Sequence, residues 1–166
     1  AMAVPTIAAV NGACLGGGME VAIACDMVVA ARSAVFGQPE IKLGFLPPYA
    51  AVRLPRLVGP SRAIEICTTG KRYNAEAMQQ MGVVCDVFDD NALEKGVAQL
   101  TKEIQHASPL IIRLNKKAVN QHVGMTIDDA MESVNDMFLN QLMHTEDTLE
   151  GIKSFEEKRR PEWKNR

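Results

Sequence analysis

The first half of the chain alternates short apolar runs with turn residues. Val4–Val10 (VPTIAAV) predicts a buried strand, and Asn11-Gly12 marks a turn behind it. Leu15-Gly16-Gly17-Gly18 then leads into Met19–Cys25 (MEVAIAC), which fits a short apolar helix. The expected order is strand, glycine loop, helix. Asp26–Ala31 reads as a second buried strand, and Arg32-Ser33 turns the chain into Val35-Phe36-Gly37. Gln38–Pro55 contains Pro39, Pro47, Pro48 and Pro55 and is expected to be mostly irregular, a segment suited to function or an interface.

The pattern then turns helical. Pro60-Ser61 opens a helix through Thr68 with Ile64 and Cys67 on one face, and Asn74 can cap another ending at Gly82. Val83–Phe88 fits a strand. Leu93, Val97, Leu100 and Ile104 predict a helix over Asn91–His106. Leu110, Ile111, Leu114 and Ala118 predict another over Pro109–Val123. Thr126-x-x-Asp129 is a capping box before a helix carrying Ile127, Ala130, Met131, Val134, Phe138 and Leu142. A last helix spans Glu146–Lys158, before a basic tail. The chain thus divides into residues 1–90, rich in Gly, Pro, Ala and Val, and a helical stretch over 91–166.

Composition narrows the function. The 166 residues carry 18 basic and 20 acidic side chains, and the formal charge of −2 gives no global basic field for nucleic acid or an anionic membrane. No run of about 18 apolar residues predicts a membrane span, and no signal peptide is visible. The four cysteines (Cys14, Cys25, Cys67, Cys85) lack CxxC spacing and make no metal site with the three separated histidines, which fits reduced thiols in the cytoplasm.

The glycine run carries the strongest local chemistry. Glycines let a ligand approach the backbone, and the first N–H groups of a helix point out of its positive end. Such a turn can hold an anion or a thioester oxyanion; it can equally serve tight strand–helix packing. It is neither a P-loop nor GxGxxG. Glu20 falls in the first turn of an apolar helix, either as a dipole-complementing acid or as a functional carboxylate. Glu40 lies in the Gly37-Gln38-Pro39-Glu40-Ile41 segment, where a lone glutamate is ordinarily solvated. Together with an oxyanion site the two acids can activate water and move a proton at carbon. Nucleophilic catalysis has no support: no Gly-x-Ser-x-Gly elbow exists, and no cysteine has a neighbouring histidine. His106, His122 and His144 read as structural.

These segments resemble the enoyl-CoA hydratase/isomerase (crotonase) superfamily. Pro5-x-Ile7-Ala8-Ala9-Val10-Asn11-Gly12 through Gly16-Gly17-Gly18-Met19-Glu20 resembles its first signature. Phe36-Gly37-Gln38-Pro39-Glu40-Ile41-x-Leu43-Gly44 resembles its second, and Phe155-x-Glu157-Lys158-Arg159-x-Pro161 fits its end. The resemblance implies an α/β fold, a spiral of ββα units filling residues 1–90, with a helical region over 91–166 that builds trimers or dimers of trimers and covers the active site. It implies a coenzyme A thioester as substrate and no other cofactor or metal. Gly17 would donate one oxyanion N–H, Glu20 and Glu40 would be the catalytic pair, and Gly16, Phe45, Pro48 and Tyr49 would line the substrate site. Two acids favour hydration; a double-bond isomerase and a silent CoA-binding or oligomerisation module remain the alternatives. Two departures stand out. The chain matches about the last two thirds of the family's length, without the part that supplies the second oxyanion donor and most of the adenine pocket. Pro48 also stands where the family often has glycine, and Phe45 and Tyr49 suggest a bulky or cyclic dienoyl group.

Overall fold

A computed structural model of the chain describes residues 2–166. The chain forms two compact units, Thr6–Leu100 and Thr101–Arg166 with the N-terminal stretch up to Pro5. The composition change near residue 90 precedes that division.

The first unit holds two small sheets. Strands β1 (Ile7–Val10) and β2 (Ala13–Leu15) are followed by helix α1 (Gly17–Ala24), and then by β3 (Met27–Ala31) and β4 (Val35–Gly37). β1 pairs parallel with β3, Ala8 opposite Val28, and β2 pairs parallel with β4, Cys14 opposite Phe36. The expected strand–loop–helix is therefore correct in order but lacks β2. Three residues with an exposed, buried and half-buried pattern are too short to show a period.

The proline-rich stretch departs from expectation. It is not mostly irregular: Pro39–Leu43 forms a 3-10 helix, and Pro48–Val58 is an α-helix, α2. Pro47 is extended, as a residue before proline prefers, and Pro48 occupies the first helical position, where its missing N–H costs nothing. Pro55 lies inside α2 and does forfeit a bond. Fully buried Ala50 and Leu54 hold the helix against the core, and packing overrides propensity.

Helix α3 (Pro60–Thr69) buries Ala63 and Ile66, while Ile64 is exposed, so its inner face is not the one the sequence suggests. β5 (Tyr73–Asn74) pairs antiparallel with β4. Asn74 caps α4 (Ala75–Gln80) as expected, accepting from the Ala77 N–H at 2.9 Å. β6 (Asp86–Phe88) completes the first sheet beside β3, and α5 (Leu93–Gln105) follows. The core gathers Met19, Ile23, Phe36, Leu54, Ile66 and Met78 from five elements.

The second unit contains α6 (Pro109–Gln121), α7 (Ile127–Asn140) and α8 (Glu146–Glu156). Polar caps start all three: Ser108 accepts from Ile111 N–H, Thr126 from Asp129 N–H and Thr145 from Thr148 N–H, each at 3.2 Å. Of the apolar positions expected on α7, Ile127, Met131 and Phe138 are exposed; the buried residue of the helix is Met137, outside that set.

Candidate active site

The glycine loop sits where β2 ends and α1 begins. Gly16 adopts φ +57°, which a side chain tolerates poorly, and its N–H donates to the Gly37 carbonyl at 2.9 Å. That bond ties the loop to the end of β4, which leads directly to Glu40. The Glu40 carboxylate lies over Gly16, so close that a Cβ there would meet Oε1 at 2.8 Å. Gly16 therefore leaves room for a carboxylate rather than serving backbone conformation alone.

Gly17 opens α1, and its N–H has no acceptor within the helix. Gly17 and Gly18 are exposed, and a Cβ on either would meet nothing within 4 Å. The start of the helix thus faces open space beside Glu40.

Glu20 lies in the first turn of α1, its N–H donating to the Gly16 carbonyl at 3.0 Å. Its Oε1 accepts from the Tyr49 and Ala50 N–H groups, each at 2.8 Å. Those are the second and third residues of α2, so the carboxylate caps the positive end of a second helix. Glu20 is half-buried, and Oε2 accepts no hydrogen bond among the described residues. Pro48 supplies no donor, and the next two residues hold the acid. Arg53 Nε also joins α2 to α1, donating to the Ile23 carbonyl at 3.2 Å.

Both glutamates act on one thiol. Burial pushes the Cys67 thiol up, and Glu40 and Glu20 add to the rise, which places both carboxylates within electrostatic reach of the same sulfur. Cys14, deeper in the core, is pushed up to about 11 by burial.

Two neighbours escaped the sequence reading. Gln38 is fully buried, and its amide nitrogen donates to Glu40 Oε2 at 2.9 Å and Oε1 at 3.1 Å. Its position between Gly37 and Pro39 gave no sign of burial. Cys67 was read only as a face residue of α3. Of the remaining substrate-site candidates, Tyr49 holds Glu20 through its N–H, Pro48 begins α2, and Phe45, 67% exposed, lies in the loop before it, where Leu46 is also exposed. His122 engages the Ala118 carbonyl and Ser133 Oγ. Among the described residues no cluster of three or more His, Cys, Asp or Glu could hold a metal ion, and no helix is long and apolar enough to cross a membrane.

Comparison with known proteins shows the family and the fold. The family model described as Enoyl-CoA hydratase/isomerase matches residues 1–166. A probable mitochondrial enoyl-CoA hydratase of Dictyostelium discoideum is 39% identical over 163 residues, covering 98% of this chain and 58% of that protein. A carnitinyl-CoA dehydratase of Salmonella typhi is 37% identical, covering 98% and 64%. The crystal structure of an enoyl-CoA hydratase from Bacillus anthracis superposes with a TM-score of 0.94 at 36% identity, over 98% of this chain and 63% of that one. An enoyl-CoA hydratase from Mycobacterium tuberculosis gives 0.93 at 31% identity, over 99% and 65%. The chain thus spans a little over half to about two thirds of the length of these relatives. The fold is the crotonase fold, and from its glycine loop to its tail the chain belongs to the enoyl-CoA hydratase/isomerase family.

Proposed function

We propose that the chain carries the catalytic acids of a hydro-lyase that adds water across the α,β double bond of an enoyl-CoA thioester. The single observation that carries this reading is the pair of glutamates flanking the Gly16–Gly18 helix start, one over Gly16 and the other capped by α2.

In this reading the Gly17 N–H donates to the thioester oxygen as charge gathers there. Oxyanion donors of this kind are worth about 3–4 kcal/mol each. Glu20, fixed through Oε1, presents Oε2 to a water molecule and takes its proton. The hydroxide adds to the β-carbon, the electron pair of the double bond moves to the thioester oxygen, and Glu40 in its protonated form gives its proton to the α-carbon. Passage of a proton from Glu20 to Glu40 resets the site. Coenzyme A enters as part of the substrate, and the scheme draws on no metal or redox cofactor. The names of the Dictyostelium and Salmonella relatives, a hydratase and a dehydratase of CoA esters, support this class of reaction.

Phe45 and Tyr49, exposed just before and at the start of α2, shape the acyl site toward a bulky or cyclic dienoyl group. Residues 91–166 serve assembly into a trimer or dimer of trimers, supported by the apolar side chains exposed on α7 and α8, Ile127 at 81% and Phe155 at 85%. A reducing compartment, cytoplasm or mitochondrial matrix, suits four free cysteines.

Loss of the enoyl-thioester ultraviolet absorbance tests the reading. The parent chain should hydrate crotonyl-CoA and, faster, a cyclic dienoyl-CoA; Glu20→Gln should abolish both. A shifted double bond without added water would establish an isomerase. CoA binding without turnover would establish a binding module. Faster turnover of the straight-chain ester would remove the cyclic preference and leave hydration standing.

A further inference from the structure

The second unit holds a buried carboxylate for which hydration has no use. Asp147, in the first turn of α8, is 1% exposed. An ionised group so placed is costly unless its oxygens are satisfied. Here they are satisfied from two directions. Ser108 Oγ, the N-cap of α6, donates to Oδ2. The remaining donors come from the carboxyl-terminal tail: Lys164 N–H to Oδ1 at 2.6 Å, and Asn165 N–H to Oδ1 at 3.1 Å and Oδ2 at 3.0 Å. Asn165 takes a left-handed backbone, φ 62°, beside two consecutive N–H groups that converge on one anion. The Asp147 N–H in turn donates to the Arg166 carbonyl at 3.1 Å. Burial pushes the Asp147 carboxyl up, but the Ser108 hydroxyl and the two tail amides more than offset it, and its range falls below the ordinary one.

The tail is fastened beyond this point as well. Trp163 donates its indole N–H to the His106 carbonyl at 2.8 Å and lays its ring over Gly151. Arg159 grips Glu150, whose Oε1 also accepts from the Glu162 N–H at 2.7 Å. These contacts lie on the surface, and Asp147 is the buried anchor among them.

We propose that residues 159–166 form a strap that opens and closes as one local unit over the turn between α5 and α6, with Asp147 as its clasp. The segment has the marks of a low-energy opening unit: little buried apolar surface, and polar anchors that converge on one group.

Trp163 is the chain's one tryptophan, so its fluorescence reads the strap directly. Acrylamide quenching should rise at least about threefold in Asp147→Asn and Asp147→Ala, with a red-shifted emission and an unchanged helical circular dichroism signal. Amide hydrogen exchange on the parent and Ser108→Ala covers the case in which the Asp147 variants do not fold. The Lys164 and Asn165 amides should be protected in the parent, and both should exchange about tenfold faster in Ser108→Ala, the ratio expected for one charge-assisted hydrogen bond. Unchanged quenching in a folded Asp147→Ala, unprotected Lys164 and Asn165 amides, or Trp163 release only together with loss of helix would each overturn the proposal.

Discussion

The two units of this chain are held together by different physics. In Thr6–Leu100, side chains from strands and helices bury themselves completely: Phe36, Met19, Ile23, Leu54, Ile66 and Met78 form one apolar core. In Thr101–Arg166 Met137 is the buried apolar residue, and the buried polar residues Ser108, Asp147 and Ser154 accompany it. The first unit can hold two carboxylates in fixed positions because the backbone around them is packed rigidly. The second relies on caps, a clasped tail and exposed apolar helix faces. The proposed catalytic geometry therefore belongs to the unit that packs densely, and adaptable surface to the one that does not.

The contrast can be tested by substitution. The largest effect is expected at Glu40. Glu40→Gln should lower turnover about 10²–10⁴-fold, the range for a lost general acid, with the melting temperature nearly unchanged. Leu54→Ala, in the core of the first unit, should cost about 2–5 kcal/mol in urea unfolding. A cost below about 1 kcal/mol would mean that the first unit is not rigidly packed. Gly16→Ala joins both effects. It places a Cβ against Glu40 Oε1 at a backbone of φ +57° and ψ −128°, which glycine alone adopts readily, costing about 1–3 kcal/mol of stability and displacing the acid, so turnover should fall with it.

Acid behaviour sharpens the other side. Glu150 is held at about 2, below its ordinary 4.5, by the Arg159 guanidinium and then by the Glu162 N–H. Its folded value lies below the unfolded one. The stabilisation is therefore fully present above about 4.5 and is lost as pH falls through about 2. Urea midpoints of the parent and Glu150→Gln should differ by a constant amount near neutral pH and converge on acidification. The smallest effect is expected at exposed Phe155. At concentrations where the chain is monomeric, Phe155→Ala should change stability by less than about 0.5 kcal/mol, while weakening any self-association seen by sedimentation.

Much of this was legible in the residues, and the failures share a cause. Asn74 and Thr126 announced their helices because capping is local chemistry. Helix α5 showed itself through Leu93, Val97, Leu100 and Ile104. Glu20 and Glu40 were legible through their company, a glycine run and a signature segment. What stayed hidden depends on distant partners. Helix α2 lay concealed behind four prolines because Ala50 and Leu54 hold it from the far side of the core. Strand β2 is defined by its pairing with β4. Gln38 has a meaning only once Glu40 is folded over Gly16, and Asp147 looked like an ordinary first-turn acid until the tail returned to it. Period alone groups Ile64 with Cys67 and sets Ile127 on the apolar pattern of α7, and both isoleucines face outward.

The most direct measurement is turnover of crotonyl-CoA in ¹⁸O-labelled water, with the parent chain beside Glu40→Gln. Two carboxylates working on one water should place a single ¹⁸O in the 3-hydroxyacyl product of the parent and almost none with the variant. A double-bond shift without label, or equal labelling by both chains, would contradict the account.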